Sequence, residues 1–317
     1  MLASSRSGSF TERVGAEVLR PLVSSNQGEQ VMTMRSALRS AAITVVATVG
    51  AATFVVVGVG VDAAQAKGGV VHGSATIFEF SNPPFEEGLF ASVVYGRTSD
   101  RAYVGDWDGN GSDTLAARRG NTYFLQGDVE SPTSDRAVSF GRAADETYVG
   151  DWDGDGTTTP AVRRGNVFHF TDRWEGGAAD RATAFGKPGD RIFVGDWDGD
   201  GTDTLAIVRN GHLHLTDDLS TGRTSEIIRW WFPDDTLVHI GDWDGDGRDT
   251  IGLRYPYQPP RGYSWSDWAL YDDLAGNTPL PGRQLGETFR YGGGSGAAFA
   301  GDWDGDGRDE LGGRFPF

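Results

Sequence analysis

Five near-identical copies of an acidic heptapeptide dominate this sequence. The copies follow the pattern Gly-Asp-Trp-Asp-Gly-Asp-Gly and begin at Gly105, Gly150, Gly195, Gly241 and Gly301. The first copy has Asn110 where the others have their third aspartate. Successive copies are 45, 45, 46 and 60 residues apart. A nearly fixed period of this length is typical of repeat proteins, in which each repeat forms one supersecondary unit. The chain is therefore predicted to fold as a series of repeated units.

Each repeat contains four short runs that are predicted to be β-strands. In the third repeat, residues 205–208 form an apolar run and residues 212–215 alternate between histidine and leucine. Asn210-Gly211 between these runs favours a two-residue hairpin, because both central residues of a type I′ turn need positive φ. Gly120-Asn121 and Gly165-Asn166 occupy the same place in the first two repeats. No segment of the repeats is long and periodic enough to predict a helix.

Four-stranded units of 40–50 residues are typical of β-propeller blades. Residues 75–103 hold the second half of a repeat without its acidic loop, and residues 301–317 hold a first half. Together they make one complete unit, so the last strand is predicted to pair with the strand at residues 75–80. We therefore expect an all-β fold: a β-propeller of five four-stranded blades, closed by pairing of the N- and C-terminal half-repeats. Packing between neighbouring blades is the expected role of the loop tryptophans, Trp107, Trp152, Trp197, Trp243 and Trp303.

The acidic loops carry oxygen ligands at a spacing that suits a hard cation. Asp-x-Asp-x-Asp-Gly places carboxylates on alternate residues before a sharp turn, and Ca²⁺ takes six to eight oxygens from such loops. The loops are not EF-hands, because position 12 is Ala117, Val162, Ile207, Leu253 or Gly313. The alternative is an aspartate-stabilised turn that holds no metal. The predicted Ca²⁺ ligands are Asp106, Asp108, Asn110, Asp113, Asp151, Asp153, Asp155, Asp196, Asp198, Asp200, Asp203, Asp242, Asp244, Asp246, Asp249, Asp302, Asp304, Asp306, Asp309 and Glu310.

These loops, with Phe140-Gly141 and Phe185-Gly186 upstream of two of them, resemble the FG-GAP/VCBS repeat family. The resemblance covers about residues 75–317. The family includes the propeller repeats of integrin α-subunits and of many secreted bacterial proteins. It implies a β-propeller with Ca²⁺ in its hairpin loops, which generally serves structure or extracellular recognition.

One position departs from the family pattern, which usually has an acid at position 9 of the loop. Here position 9 is threonine in four loops and Glu310 in the fifth, while position 8 is Asp113, Asp203, Asp249 or Asp309 and is Thr158 in the second loop. Neighbouring strand residues face opposite ways, so positions 8 and 9 cannot both bind one ion without a kink. We expect dissociation constants on the order of 10⁻⁴–10⁻³ M. The fifth loop should bind most tightly, followed by loops three and four and then by loops one and two.

The first 66 residues differ from the repeats. Residues 41–61 are apolar and uncharged; Arg35 and Arg39 precede them and Ala64-Gln65-Ala66 follows. This order predicts a secretory signal at residues 32–66, cleaved after Ala66, with an uncleaved membrane anchor as the alternative. Residues 1–31 are interpreted as an extension upstream of the true start, or as a disordered extension. The propeller is predicted to span residues 67–317.

The acidity of the chain is concentrated in the loops, which hold 19 of its 45 acidic residues; the formal net charge is −17. Such a chain is not expected to bind nucleic acid, because phosphate contacts need a basic face. The absence of cysteine excludes disulfides and thiolate metal sites. We expect a secreted monomer whose partner is an extracellular protein or a glycan.

No catalytic residue is predicted. The sequence has no G-x-S-x-G elbow and no P-loop, and its carboxylate pairs belong to repeated loops rather than to a unique site. His212 and His214 share a strand face and could bind zinc, but no third ligand is evident. A secreted hydrolase is the least favoured alternative.

The fourth repeat is about 15 residues longer than the others, and the extra length falls near residues 255–268. Insertions in repeat proteins map to surface loops, often on the binding face. The aromatic residues proposed for ligand binding are Tyr257, Tyr263, Trp265 and Trp268. The alternative is a loop that covers one end of the ring. The leading hypothesis is a calcium-binding recognition or adhesion module. A lectin with sugar pockets between blades is the second hypothesis, and a structural wall protein also remains open.

Overall fold

The computed structural model describes residues 44–49, 52–57, 67–81, 89–210, 212–229, 237–255, 265–274, 289–293 and 297–315. None of these residues lies in a helix. The strands are β1 (Thr44–Val49), β2 (Ala52–Val57), β3 (Ile77–Ser81), β4 (Leu89–Val94), β5 (Arg101–Gly105), β6 (Thr114–Arg119), β7 (Thr122–Leu125), β8 (Arg136–Ser139), β9 (Glu146–Gly150), β10 (Thr159–Arg164), β11 (Val167–Phe170), β12 (Arg181–Ala184), β13 (Ile192–Gly195), β14 (Thr204–Arg209), β15 (His212–Thr216), β16 (Glu226–Arg229), β17 (Leu237–Gly241), β18 (Thr250–Tyr255), β19 (Trp265–Leu270), β20 (Phe289–Gly293), β21 (Ala297–Gly301) and β22 (Glu310–Phe315).

The chain divides into two units, residues 1–62 and 63–317. In the first unit, β1 and β2 pair as an antiparallel hairpin within the apolar run that predicted a signal or an anchor. The predicted cleavage site after Ala66 lies outside the described residues. Across the described residues, no helical segment has the length and apolar character needed to cross a bilayer.

The second unit is a five-bladed β-propeller, as the repeats predicted. Its sheets are blade 1 (β5–β8), blade 2 (β9–β12), blade 3 (β13–β16), blade 4 (β17–β20) and blade 5 (β21, β22, β3 and β4). Within each blade the strands pair antiparallel in this order. The first strand of each blade contacts the first strands of both neighbouring blades, and β21 contacts β5, so the ring is closed.

The predicted closure of the ring is confirmed in blade 5. Strand β22, at the C-terminal end, pairs with β3 in the register Gly312↔Phe80 to Phe315↔Ile77. The predicted hairpins also form: β6 and β7 are joined by Gly120-Asn121, and Gly120 has φ of 63°. Asn210, which begins the equivalent turn of blade 3, has φ of 53°.

The core is divided into layers between neighbouring blades. Each layer contains one loop tryptophan, and these side chains are 0–5% exposed. Trp197, for example, lies among Leu213 of blade 3 and Ile240 and Leu253 of blade 4. The predicted inter-blade role of the tryptophans is therefore confirmed. Trp174, which lies outside the repeated motif, is also buried and packs edge-on against Trp107 at 5.6 Å between ring centroids.

Buried arginines join each of the first two blades to the next one. Arg118 of β6 donates hydrogen bonds to the carbonyl oxygens of Arg142 and Asp145, in the turn that precedes blade 2. Arg163 of β10 does the same to Lys187 and Asp190 before blade 3. These hydrogen bonds hold the turns between blades in place. They are strong because the guanidinium donors are charged.

Candidate metal centre

The five acidic loops form a continuous circle on one face of the ring. Each loop joins the first strand of a blade to its second strand. At every blade interface, the backbone N–H at position 8 of one loop donates to the carbonyl oxygen at position 1 of the preceding loop, at 2.6–2.7 Å. The pairs are Asp113 with Asp302, Thr158 with Asp106, Asp203 with Asp151, Asp249 with Asp196, and Asp309 with Asp242.

The first aspartate of each loop organises the backbone of its own turn. In loop 2, Asp151 Oδ1 accepts hydrogen bonds from the N–H groups of Gly154 at 2.9 Å and Asp155 at 3.2 Å. Asp151 Oδ2 accepts from Gly156 N–H at 2.8 Å, and Asp155 Oδ1 accepts from Thr157 N–H at 2.8 Å. These are the aspartate-stabilised turns of the alternative interpretation. They do not exclude a metal, because each carboxylate oxygen has a second lone pair.

Carboxylate groups converge in four of the five loops. In each, one oxygen per side chain lies within 4.8 Å of the oxygens of the others. The sets are Asp151, Asp153 and Asp155; Asp196, Asp198 and Asp200; Asp242, Asp244 and Asp246; and Asp302, Asp304, Asp306 and Glu310. In loop 1, Asp106, Asp108 and the amide of Asn110 occupy the corresponding positions.

Glu310 distinguishes loop 5 from the others. Its side chain is at position 9, is 3% exposed and belongs to the same cluster as the three aspartates of its loop. The backbone N–H of Trp303 donates to Glu310 Oε2 at 3.3 Å. Burial, reinforced by Asp304, Asp302 and Asp309, raises the pKa of Glu310 to about 9. Four acidic groups therefore share a small volume that a cation can neutralise.

The acids at position 8 do not join the described clusters of their own loops, so their role as metal ligands stays a prediction. The side chains of Asp203, Asp249 and Asp309 turn toward the preceding blade, where each Oδ2 accepts the N–H of that loop's first aspartate at 2.8 Å. Asp113 does the same with Asp302 at 3.1 Å. In loop 2, Thr158 Oγ1 replaces the carboxylate and accepts from Asp106 N–H at 3.1 Å. Position 8 therefore joins neighbouring blades.

This role predicts that threonine can replace aspartate at position 8. Asp203→Thr is expected to be more stable than Asp203→Ala by about 1–2 kcal/mol, because alanine leaves the N–H of Asp151 without its acceptor. Urea unfolding of both variants in EGTA measures this difference. Equal stability of the two variants would contradict the role in joining blades. A Ca²⁺ affinity of loop 3 that fell in both variants would support Asp203 as a ligand.

Further aspartates near the clusters escaped the sequence analysis. Asp172, Asp217 and Asp272 follow the third strands of blades 2, 3 and 4. Burial raises the pKa of Asp244, and a side-chain hydrogen bond with Asp272 raises it further. Asp217 likewise contributes to the raised pKa of Asp198, after burial and Asp200. In the sequence, the repeated spacing could have revealed two of them: an aspartate follows the first aspartate of loops 2 and 3 by 21 residues.

The aromatic residues predicted to bind a ligand do not form a described site. Trp268 lies in β19, is fully buried and packs on His239 at 4.6 Å between ring centroids, so it belongs to the core and presents no free face. Trp265 begins the same strand, so it lies in a blade strand rather than in a loop. Tyr257 and Tyr263 lie outside the described residues.

The histidine pair considered for zinc gains no further ligand in the part of the chain that the structure describes. The rings of His212 and His214 are 6.5 Å apart between centroids, and His212 Nδ1 lies 2.9 Å from the carbonyl oxygen of Asn210. Neither histidine belongs to a described cluster of metal-ligating groups.

Comparisons with known proteins assign this chain to no family. No protein-family model matches it, and no curated protein matches it. Among solved structures, it is similar to a chain in the structure of the Photorhabdus luminescens Tc holotoxin pore with the mutation TccC3-D651A. That match has 15% sequence identity and a TM-score of 0.36, and covers 67% of this chain and 13% of the toxin chain. The resemblance to FG-GAP/VCBS repeats therefore stays a prediction.

Proposed function

We propose that this protein is a secreted calcium-binding β-propeller that acts as a non-catalytic recognition module for an extracellular protein or glycan. The observation that carries the calcium assignment is loop 5, where three aspartates and the buried Glu310 bring their oxygens within 4.8 Å of one another. A site composed of carboxylate oxygens suits a hard divalent cation, and Ca²⁺ tolerates the irregular geometry of such loops better than Mg²⁺ does.

The arrangement of the loops supports recognition rather than catalysis. The circle of hydrogen bonds holds five similar loops on one face of a closed ring. A bound cation would stiffen each loop and reduce the charge of that face, so the ring could present the loops to a partner at little cost in conformational entropy. The carboxylate clusters recur from blade to blade, whereas a catalytic pair is expected to occur once.

Direct calcium titration tests the assignment and the order of the loops. Calorimetric titration of the EGTA-treated, desalted chain should give dissociation constants on the order of 10⁻⁴–10⁻³ M. Asp304→Asn in loop 5 should remove the tightest site, whereas the matched change Asp153→Asn in loop 2 should remove a weaker one. Absence of calcium binding would refute the assignment, and equal losses from the two variants would refute the order. A glycan array probed in Ca²⁺ and in EGTA then separates a lectin from a protein-binding module.

A further inference from the structure

A short segment that belongs to none of the blades runs along the axis of the ring. This axial segment comprises residues 67–71, and its backbone forms hydrogen bonds with four blades. Lys67 N–H donates to Ile240 O of blade 4 at 3.4 Å, and Gly68 O accepts from Val149 N–H of blade 2 at 2.7 Å. Val71 N–H donates to Ala102 O of blade 1 at 2.8 Å, and Val71 O accepts from Arg314 Nη1 of blade 5 at 3.0 Å.

Blade 3 contacts the same segment at Gly68. This glycine is buried and has φ of 81°. A Cβ atom there would lie 2.5 Å from Val149 O and 2.5 Å from Val194 Cβ, on the first strands of blades 2 and 3. Only glycine fits between these strands, and it also adopts positive φ without strain. The axial segment therefore touches all five blades.

The Lys67 side chain ends among the position-8 acids of the loops. Its Nζ lies 3.3 Å from Asp249 Oδ2 and 3.8 Å from Asp309 Oδ2. Burial alone would lower the pKa of Lys67, but Asp249, Asp309, Asp203 and Asp113 outweigh it and hold the pKa well above its usual value. We call these four aspartates the axial acids. Burial raises the pKa of Asp113 and Asp203 to about 7, although Lys67 opposes this rise.

We propose that the axis of the ring is a binding site for a primary ammonium group, and that its ligand is Lys67 of the same chain. The site is built from carboxylates of different blades, so a single ammonium draws the acidic face together at its centre. It is separate from the loop clusters, because the axial acids face the neighbouring blade rather than the cation positions of their own loops. The predicted cleavage after Ala66 leaves the axial segment whole.

Chemical rescue tests this site in the full chain, in EGTA so that loop metals do not contribute. Lys67→Ala is expected to lower the melting temperature by about 10 °C, because it leaves buried carboxylates without their cation. Because Lys67 is 30% exposed, a small amine can reach the vacated position. n-Propylammonium chloride at about 50 mM should restore about half of the loss. n-Propanol, and NaCl at the same ionic strength, should restore none.

Site variants decide between an ammonium site and simple packing. Asp249→Asn added to Lys67→Ala should abolish the rescue by n-propylammonium. Equal rescue by n-propanol, or a Lys67→Ala chain as stable as the parent, would overturn the proposal. If Lys67→Ala does not fold, the variants Lys67→Arg and Lys67→Met are compared instead. The proposal requires Lys67→Arg to be clearly more stable than Lys67→Met, because only arginine keeps a positive charge near the axial acids. Equal stability of these two variants would refute the proposal.

A pair of glycine variants tests the axial segment independently of charge. Gly68→Ala and Gly73→Ala both place alanine at positive φ, but the nearest atom to a Cβ at Gly73 is 3.8 Å away. Gly68→Ala is therefore expected to cause a several-fold larger decrease in melting temperature than Gly73→Ala. Equal losses would mean that the segment does not hold the blades together.

Discussion

Calcium is expected to raise the melting temperature of the full chain by about 10 °C or more relative to EGTA. Each site adds roughly 1.4 kcal/mol when the ion is at tenfold its dissociation constant. Carboxylates converge in four loops, and for a domain of this size each 1 kcal/mol corresponds to about 2–4 °C. Thermal unfolding followed by circular dichroism across a Ca²⁺ series, with Mg²⁺ as the comparison, measures the shift.

The triple variant Asp153→Asn, Asp198→Asn, Asp244→Asn separates metal binding from turn formation. Position 3 contributes a carboxylate to all four clusters, whereas most of the hydrogen bonds that shape the turns are accepted by the aspartates at positions 1 and 5. Asparagine at position 3 keeps an acceptor oxygen for the backbone N–H groups that bond to Asp198 and Asp244. The triple variant should therefore keep or exceed the parent stability in EGTA, because it removes repulsion, and should lose the part of the calcium shift that loops 2, 3 and 4 contribute, while loop 5 keeps its own.

A calcium shift as large in the triple variant as in the parent would show that the three clusters do not bind the ion. No calcium shift in the parent would mean that the aspartates serve the turns alone. A Mg²⁺ shift as large as that of Ca²⁺ would contradict the choice of metal.

Removal of the last strand is expected to abolish cooperative unfolding of the ring. Deletion of residues 310–317 removes β22, which pairs with both β21 and β3. It also removes the fully buried Leu311 and leaves two strands of blade 5 with exposed edges. Truncation of one large buried side chain already lowers the free energy of unfolding by about 2–5 kcal/mol. Loss of a whole strand from the closing blade is expected to lower it further. Denaturant unfolding followed by tryptophan fluorescence provides the measurement.

Deletion of residues 316–317 is the matched control, because it leaves β22 entire. This shorter deletion should unfold like the parent chain. If the longer deletion unfolded with the same midpoint and slope as the control, closure by β22 and β3 would not be needed for stability, and the ring would have to be held by the remaining blades and the axial segment.

Local sequence patterns determined the fold of this protein to a large extent. The loop period predicted four-stranded blades, the number of loops predicted five of them, and the two half-repeats predicted the pairing of β22 with β3. Glycine at the hairpins predicted positive φ, which Gly120 and Gly165 adopt, because this conformation depends on the residue and its immediate neighbours. Of the hairpin asparagines, Asn210 also has positive φ, whereas Asn121 and Asn166 do not. The three alternate aspartates and Glu310 were found for the same reason: ligands within one loop converge through local geometry.

The direction of the position-8 side chains was decided by the tertiary structure. Asp203 has the residue type of a ligand and lies next to one in sequence, yet its carboxylate accepts the N–H of Asp151 in another blade. The burial of Trp268 against His239 likewise depends on the tertiary structure, because residues 265–270 of the longer fourth repeat form strand β19 of blade 4 rather than a surface loop.

The axial segment shows the same limit most clearly. Nothing in residues 67–71 repeats or matches a motif, so the sequence predicted only that the mature chain begins there. Its contacts join Lys67 to Asp249 and Asp309, and Val71 to Arg314, across sequence separations of about 180 residues or more. Repeats and local turns specify how each blade folds, because their interactions lie within a few residues of one another. What occupies the centre of the ring emerges only when all five blades have closed around it.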